Sequence, residues 1–205
     1  MAKFLKKFTT HSGYSTYING QDAILPNVSY CVDNNDVHYN PYVPKTYLTA
    51  KLTTESNLET KCLTVNGENF SEILIDNVPY SGNSFSNVNF EFAEAGEHII
   101  KFALLDNTKI DSNSFTQAPY NTNIKAKFSE VIIPDSVTTM GSNVFFQMPT
   151  TLIIRAETPP TLSGQLVSGY SSLSRIYVPA ASVNTYKAAS GWSTYASIIE
   201  PIPSA

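Results

Sequence analysis

The residues able to do chemistry are few, and their spacing is uninformative. His11, His38 and His98 fall in three different segments, outside any H-x-x-x-H or H-E-x-x-H motif. Neither a zinc site nor a catalytic triad is predicted from them. Glu91, Glu94 and Glu97 cluster in a predicted hairpin turn. Solvated charge is the ordinary reading there, whereas glycoside hydrolysis needs two carboxylates facing one cleft. Asp33-Asn34-Asn35-Asp36 lacks the form of a calcium loop and reads as a turn with at most weak ion binding. No G-x-S-x-G or phosphate loop is present, and Ser163-Gly164 and Ser190-Gly191 read as turns or helix stops. Cys31 and Cys62 form no C-x-x-C, and their spacing leaves both a disulfide and two buried thiols open. No catalytic, cofactor-binding or metal-ligating set emerges, so the expectation is a protein that is not an enzyme and carries no cofactor.

Composition narrows the class further. Charged residues make up 15% of the 205 residues, against about 25% in ordinary soluble domains, and Asn, Ser and Thr take their place. A net charge of −4 argues against binding the phosphate backbone of nucleic acid, which needs clustered Lys and Arg. The one basic cluster, Lys3, Lys6 and Lys7, reads as a solvated N-terminus. The stretch Met1 to Phe8 is followed by no apolar segment, and no run approaches the ~18 apolar residues of a membrane span. The expectation is synthesis in the cytosol without a signal peptide, and no membrane insertion.

Three stretches follow from local pattern. In residues 1–44, Ser12 is a plausible N-cap, Tyr14, Tyr17 and Ile18 sit at three- and four-residue spacing, and Gly20 is a natural stop. This predicts a short helix from about Ser12 to Asn19. Beyond it the chain is predicted extended and broken by Pro26, with a turn at Asp33 to Asp36 and too little apolar material to fold alone. Residues 45–106 change to period two: Leu48, Ala50 and Leu52 alternate with polar neighbours, as do Ile100, Phe102 and Leu104. Asn66-Gly67 after Cys62-Leu63-Thr64-Val65 predicts a hairpin, and the whole predicts a small β-sandwich.

Residues 107–205 contain an internal repeat. Ile110-Asp111-Ser112-Asn113-Ser114-Phe115 is echoed by Met140-Gly141-Ser142-Asn143-Val144-Phe145, thirty residues on. Apolar runs at Val131-Ile132-Ile133, Thr151-Leu152-Ile153-Ile154 and Ile176-Tyr177-Val178 accompany it. The stretch Phe128-Ser129-Glu130-Val131-Ile132-Ile133-Pro134-Asp135-Ser136-Val137-Thr138-Thr139-Met140-Gly141-Ser142-Asn143-Val144-Phe145 resembles the BspA-type leucine-rich repeat, "L-x-x-I-x-I-P-x-S-V-T-x-I-G-x-x-A-F". Met140 replaces the usual Ile and Val144 the usual Ala. The resemblance implies one short strand per repeat, stacked into a solenoid. Residues 176–196 are similar to the end cap of such arrays, with helix formers from Ala180 to Ser190 and Trp192 and Tyr195 closing the last layer. The fold class expected is therefore mostly β: a small β-sandwich followed by a short leucine-rich-repeat-like β solenoid with a helical end cap. Phe115, Ile133, Phe145 and Ile153 are its expected core.

The N-terminal stretch carries a second resemblance. Phe8 to Gly20, Leu25-Pro26-Asn27-Val28-Ser29-Tyr30-Cys31 and Val37-His38-Tyr39-Asn40-Pro41 resemble the opening of many proteins in tailed phages of gut Bacteroidales, the crAss-like group among them. These are virion structural proteins, often head fibers or capsid-attached appendages. The resemblance implies a virion location after synthesis in the host cytoplasm, with lysis rather than secretion releasing the protein. It also implies attachment to capsid or other virion proteins. Tyr14, Tyr17, Tyr30, His38, Tyr39 and Tyr42 are the expected attachment residues, since aromatic rings held by prolines offer rigid contact area. Weak charge and abundant tyrosine predict a homo-oligomer, a dimer ahead of a trimer. Exposed repeats admit a host-surface glycan as a further ligand. The alternative is a bacterial cell-surface adhesion protein with the same repeats.

Overall fold

A computed structural model of the chain describes residues 45–56, 69–80, 91–115, 128–145, 149–167 and 173–204 in full. Residues 14–18, 21–25, 28–33, 36–41, 59–65, 88–90, 116, 146 and 168 are described as strand backbone alone. The chain divides into two compact units, Met1–Lys45 and Thr46–Ala205.

The first unit contains two antiparallel hairpins. β1 (Tyr14–Ile18) pairs with β2 (Gln21–Leu25), and β3 (Val28–Asp33) pairs with β4 (Asp36–Pro41). The helix expected at Ser12 to Asn19 is therefore a strand over most of its length. Tyr, Thr and Ile favour the pleated state, and Tyr14, Thr16 and Ile18 fit alternation as well as they fit a helical stripe. Ile18 lies opposite Gln21 with Asn19-Gly20 between them, the pair most typical of two-residue hairpins.

The second unit begins with antiparallel strands: β5 (Tyr47–Thr54), β6 (Glu59–Val65), β7 (Phe70–Ile75), β8 (Val78–Pro79), β9 (Val88–Phe92) and β10 (Gly96–Leu104). Along β5 the alternation is carried through, with Leu48, Ala50, Leu52 and Thr54 buried. β10 lies between β5 and β7, and β7 turns into β8 through Asp76 and Asn77, whose φ angles of 49° and 66° suit a two-residue hairpin turn. The hairpin expected at Asn66-Gly67 does not pair its own flanks. β6 joins β9 and a later strand, whereas β7 joins β10, so the chain crosses between sheets at this point.

From residue 109 the strands come in threes. The first set is β11 (Lys109–Ile110), β12 (Phe115–Thr116) and β13 (Glu130–Ile133). The second is β14 (Thr139–Met140), β15 (Phe145–Phe146) and β16 (Thr151–Ile154). The third is β17 (Thr161–Leu162), β18 (Val167–Ser168) and β19 (Arg175–Val178). Each strand pairs in parallel with its counterpart in the next set, as in Ile110 with Met140 with Leu162, and Phe115 with Phe145 with Val167. A third copy thus begins at Thr161, where the turn-like Ser163-Gly164 had masked it in the sequence. Asn113 and Asn143 occupy the same left-handed turn position, with φ of 55° and 53°, a conformation Asn tolerates. Successive sets approach closely: a Cβ on Gly141 would lie 2.2 Å from the Ser112 amide nitrogen.

These ladders run into the antiparallel strands without a break. The largest sheet has the order β20-β19-β16-β13-β5-β10-β7-β8, where β20 is Ile199–Pro201. A second sheet has the order β18-β15-β12-β6-β9, and a third β11-β14-β17. One core serves all three, and the stretches read as sandwich and repeat module both contribute to it. Phe102 of β10 packs edge-on to Phe115 of β12 at 5.1 Å, and Phe115 stacks on Phe145 at 5.2 Å. The protein is mostly β, with a large mixed sheet and, among the described residues, one short α-helix, α1 (Val183–Ala188).

The last set of strands is closed by side chains. Tyr186 of α1 and Trp192 are fully buried, with ring centroids 5.2 Å apart. Trp192 Nε1 donates to the Pro160 carbonyl at 2.7 Å, and the Tyr186 hydroxyl to the Ala156 carbonyl at 2.8 Å. The Tyr195 hydroxyl accepts from the Leu166 amide. Gly191, at φ 79°, makes the turn that brings Trp192 inward.

Candidate interaction surface

Alternation along a strand sends half of the side chains outward, so the large sheet has one face in the core and one facing away from it. Pairing registers align the outward residues of six adjacent strands in one row: Lys101, Thr49, Ile132, Ile153, Tyr177 and Glu200. All but the exposed Glu200 are half-buried. The middle of the row is apolar and its two ends carry opposite charge. Lys101 Nζ donates to the Asn77 side chain at 2.7 Å, and the Arg175 guanidinium donates to the Tyr177 hydroxyl at 3.4 Å. In the neighbouring row Lys51 lies 3.3 Å from Glu130 and 3.7 Å from Glu97. The Glu130 carboxylate holds the Lys51 ammonium above the ordinary lysine range.

A second cluster gathers around His98, near the start of β10. His98 Nδ1 lies 2.8 Å from Asp76 Oδ2, and Nε2 lies 3.1 Å from the Thr54 hydroxyl. The imidazole stacks on Phe92 with centroids 3.8 Å apart. A carboxylate, an imidazole and a hydroxyl in series have the order of a hydrolytic triad. The hydroxyl is the wrong kind for that task. Thr54 is 2% exposed, accepts from the Gly96 amide and lies within hydrogen-bond distance of the Glu94 carbonyl. A nucleophile needs an open approach to its oxygen, and here the hydroxyl ties the end of β5 to the β9–β10 turn. Asp76 Oδ1 also accepts from the Ile99 amide, so the cluster staples the β7–β8 turn to β10. A groove of about 470 Å³ opens beside it, with Tyr80, Glu91 and Glu94 on its walls. Among the described residues no three His, Cys, Asp or Glu side chains converge as metal ligands.

The expected site residues are placed unevenly. Phe115, Phe145 and Ile133 are fully buried. Ile153 is not: it points away from the core, and Leu152 and Ile154 fill the inward positions of β16. Three consecutive apolar residues leave the parity of a strand undecided, and Ile133 pairs with Ile154 rather than with Ile153. Tyr14, Tyr17, Tyr30, His38 and Tyr39 lie on β1, β3 and β4, with side chains outside the described residues, and Tyr42 lies wholly outside them. The His98 cluster escaped the sequence reading because Asp76 and Thr54 are 22 and 44 residues away. The outward row escaped it because only the parallel register brings Ile132, Ile153 and Tyr177 together.

No family model matches the chain, and no curated protein matches it.

Proposed function

We infer that the protein is a structural, non-catalytic virion component of a tailed phage, a head fiber or another capsid-attached accessory protein. In this reading residues 1–44 attach to capsid or other virion proteins, and residues 45–205 project outward as a small β-sandwich continued by a short leucine-rich-repeat-like β solenoid with a helical end cap. The outward sheet face then offers a broad surface for association and for adhesion to the host surface or its glycans.

One observation carries the architectural part: three successive sets of strands pair in parallel at equivalent positions, Ile110 with Met140 with Leu162. The repeat-like motif at 128–145 spans the step from the first set to the second, as a repeat unit must. The attachment part rests on the resemblance of residues 8–41 to the opening segments of such phage proteins. The rival reading, a bacterial cell-surface adhesin, draws on the same repeats and lacks that second support.

The test is particle incorporation. Virions assembled with the full chain should contain it on mass spectrometry, whereas a chain lacking residues 1–44 should stay folded and be missing from purified particles. Incorporation of the truncated chain at normal copy number would move the anchor elsewhere. Absence of the full chain from particles would favour the adhesin.

A further inference from the structure

We propose that the outward face of the large sheet is a self-complementary surface on which a second copy of this chain docks face to face. The inference goes beyond the virion reading and does not depend on it, since it rests on strand register alone.

The row Lys101, Thr49, Ile132, Ile153, Tyr177 and Glu200 has a centre, between Ile132 on β13 and Ile153 on β16. A two-fold axis parallel to the strands through that centre brings each residue opposite its mirror position in the row. Ile132 then meets Ile153 of the second copy, Thr49 meets Tyr177, and Lys101 meets Glu200. Both isoleucines leave water against each other, the two hydroxyl-bearing residues face one another, and the cation at one end meets the anion at the other. A two-fold interface must be self-complementary in this sense, because one patch supplies both sides. Stacked sheet faces lie ~10 Å apart, a gap that one lysine and one glutamate side chain span together.

The flanking row sets a limit on strength. There Lys51 comes opposite Arg175 of the second copy, a like-charge contact that Glu130 and Glu97 beside Lys51 reduce. The central and flanking rows together span five strand spacings, ~24 Å at ~4.8 Å each, by ~13 Å along the strands, roughly 320 Å² and well under the ~800 Å² per partner of a standard interface. The pair is therefore weak, with a dissociation constant on the order of 10–100 μM.

Sedimentation equilibrium of the full chain tests this. The wild-type protein should show a monomer–dimer equilibrium in that range. Lys101→Glu and Glu200→Lys should each weaken it about tenfold, and the double reversal should recover it to within about threefold. Ile153→Lys should abolish it. Thermal midpoints of all four variants should stay near wild type, since the substituted side chains point away from the core. A chain that stays monomeric well above that range overturns the proposal. So does a dimer that survives Ile153→Lys, because another surface, such as residues 1–44, then holds it. A double reversal as weak as its single parents also overturns it.

Discussion

Where the stacked strands meet β5 and β6, their neighbours are backbone: β13 pairs with β5 and β12 with β6, both antiparallel. Where the stack stops after β19, backbone among the described residues continues through the short β20, and side chains take over elsewhere. The contrast is sharpest at one equivalent position. The Thr108 carbonyl accepts from the Thr138 amide one set later, and the Thr138 carbonyl accepts from the Thr161 amide. The Pro160 carbonyl, next in that series, accepts from Trp192 Nε1 instead. A buried carbonyl must find a donor, and a side-chain tip meets that demand while offering no further strand for another set to join. The difference teaches how a stack of parallel strands ends: the first end continues into antiparallel strands of the same sheets, and the last is sealed by aromatic residues with polar tips.

Substitutions along the stack and a change of pH probe that contrast. Phe145→Ala, in the middle of the stack, and Trp192→Ala, at its sealed end, should each cost about 3–5 kcal/mol in denaturant unfolding. They should differ in reach. Hydrogen exchange should show the Trp192 change loosening the amides of Thr161 and Leu166 first, and the Phe145 change loosening the sets on both sides. A cost for Phe145 below half that range would mean that its stacking on Phe115 does not hold the sets together. Gly141→Ala should cost about 1–3 kcal/mol, because the nearest obstacle is the Ser112 backbone rather than a side chain able to turn aside. Gly164→Ala, in the last set, should cost less, because the nearest atom to its new Cβ is the Ser142 hydroxyl, at 2.6 Å, rather than backbone, and equal losses at both positions would break the account of close approach.

The smallest effect is one of pH. Burial raises the Tyr186 phenol above its ordinary value, so the folded state favours the protonated ring. That preference is fully present below the unfolded value of ~10 and is lost progressively as pH rises above it. Stability should fall from about pH 10 upward, and in Tyr186→Phe this part of the decline should be missing. An identical alkaline profile for the variant would remove Tyr186 from the seal.

Much of the fold was legible because burial imposes a period. Leu48, Ala50 and Leu52, or Ile100, Phe102 and Leu104, declare an inward face by their alternation alone. The motif from Phe128 to Phe145 likewise predicted stacked short strands, and Trp192 an inward-turned closing residue. What stayed hidden was whatever depends on partners distant in sequence. Asn66-Gly67 has the chemistry of a hairpin, yet its flanking strands belong to different sheets. Ser12 to Asn19 fits two periods, and Gly20 reads as a helix stop as readily as it reads as half of the Asn19-Gly20 pair that separates β1 from β2. The third set, Thr161-Leu162-Ser163-Gly164-Gln165-Leu166-Val167, has Val where the others have Phe, and 22 rather than 30 residues separate it from its predecessor. Of the candidate surface, each residue was visible and the row was not.

The order of strands in the large sheet also has a mechanical meaning. β5, where the chain enters this unit, lies in the interior of the sheet with β10 on one side and β13 on the other. A pull on that strand from the N-terminal side must shear two ladders at once. β20, where the chain leaves, is an edge strand paired with β19 alone. A pull from the C-terminal side unzips it, then α1, then one set of strands at a time, since each set holds mainly to its nearest neighbours. The unit is thus stiff toward the end that precedes it and yielding toward the end that follows, and a load borne through the N-terminal side falls on its most resistant strand.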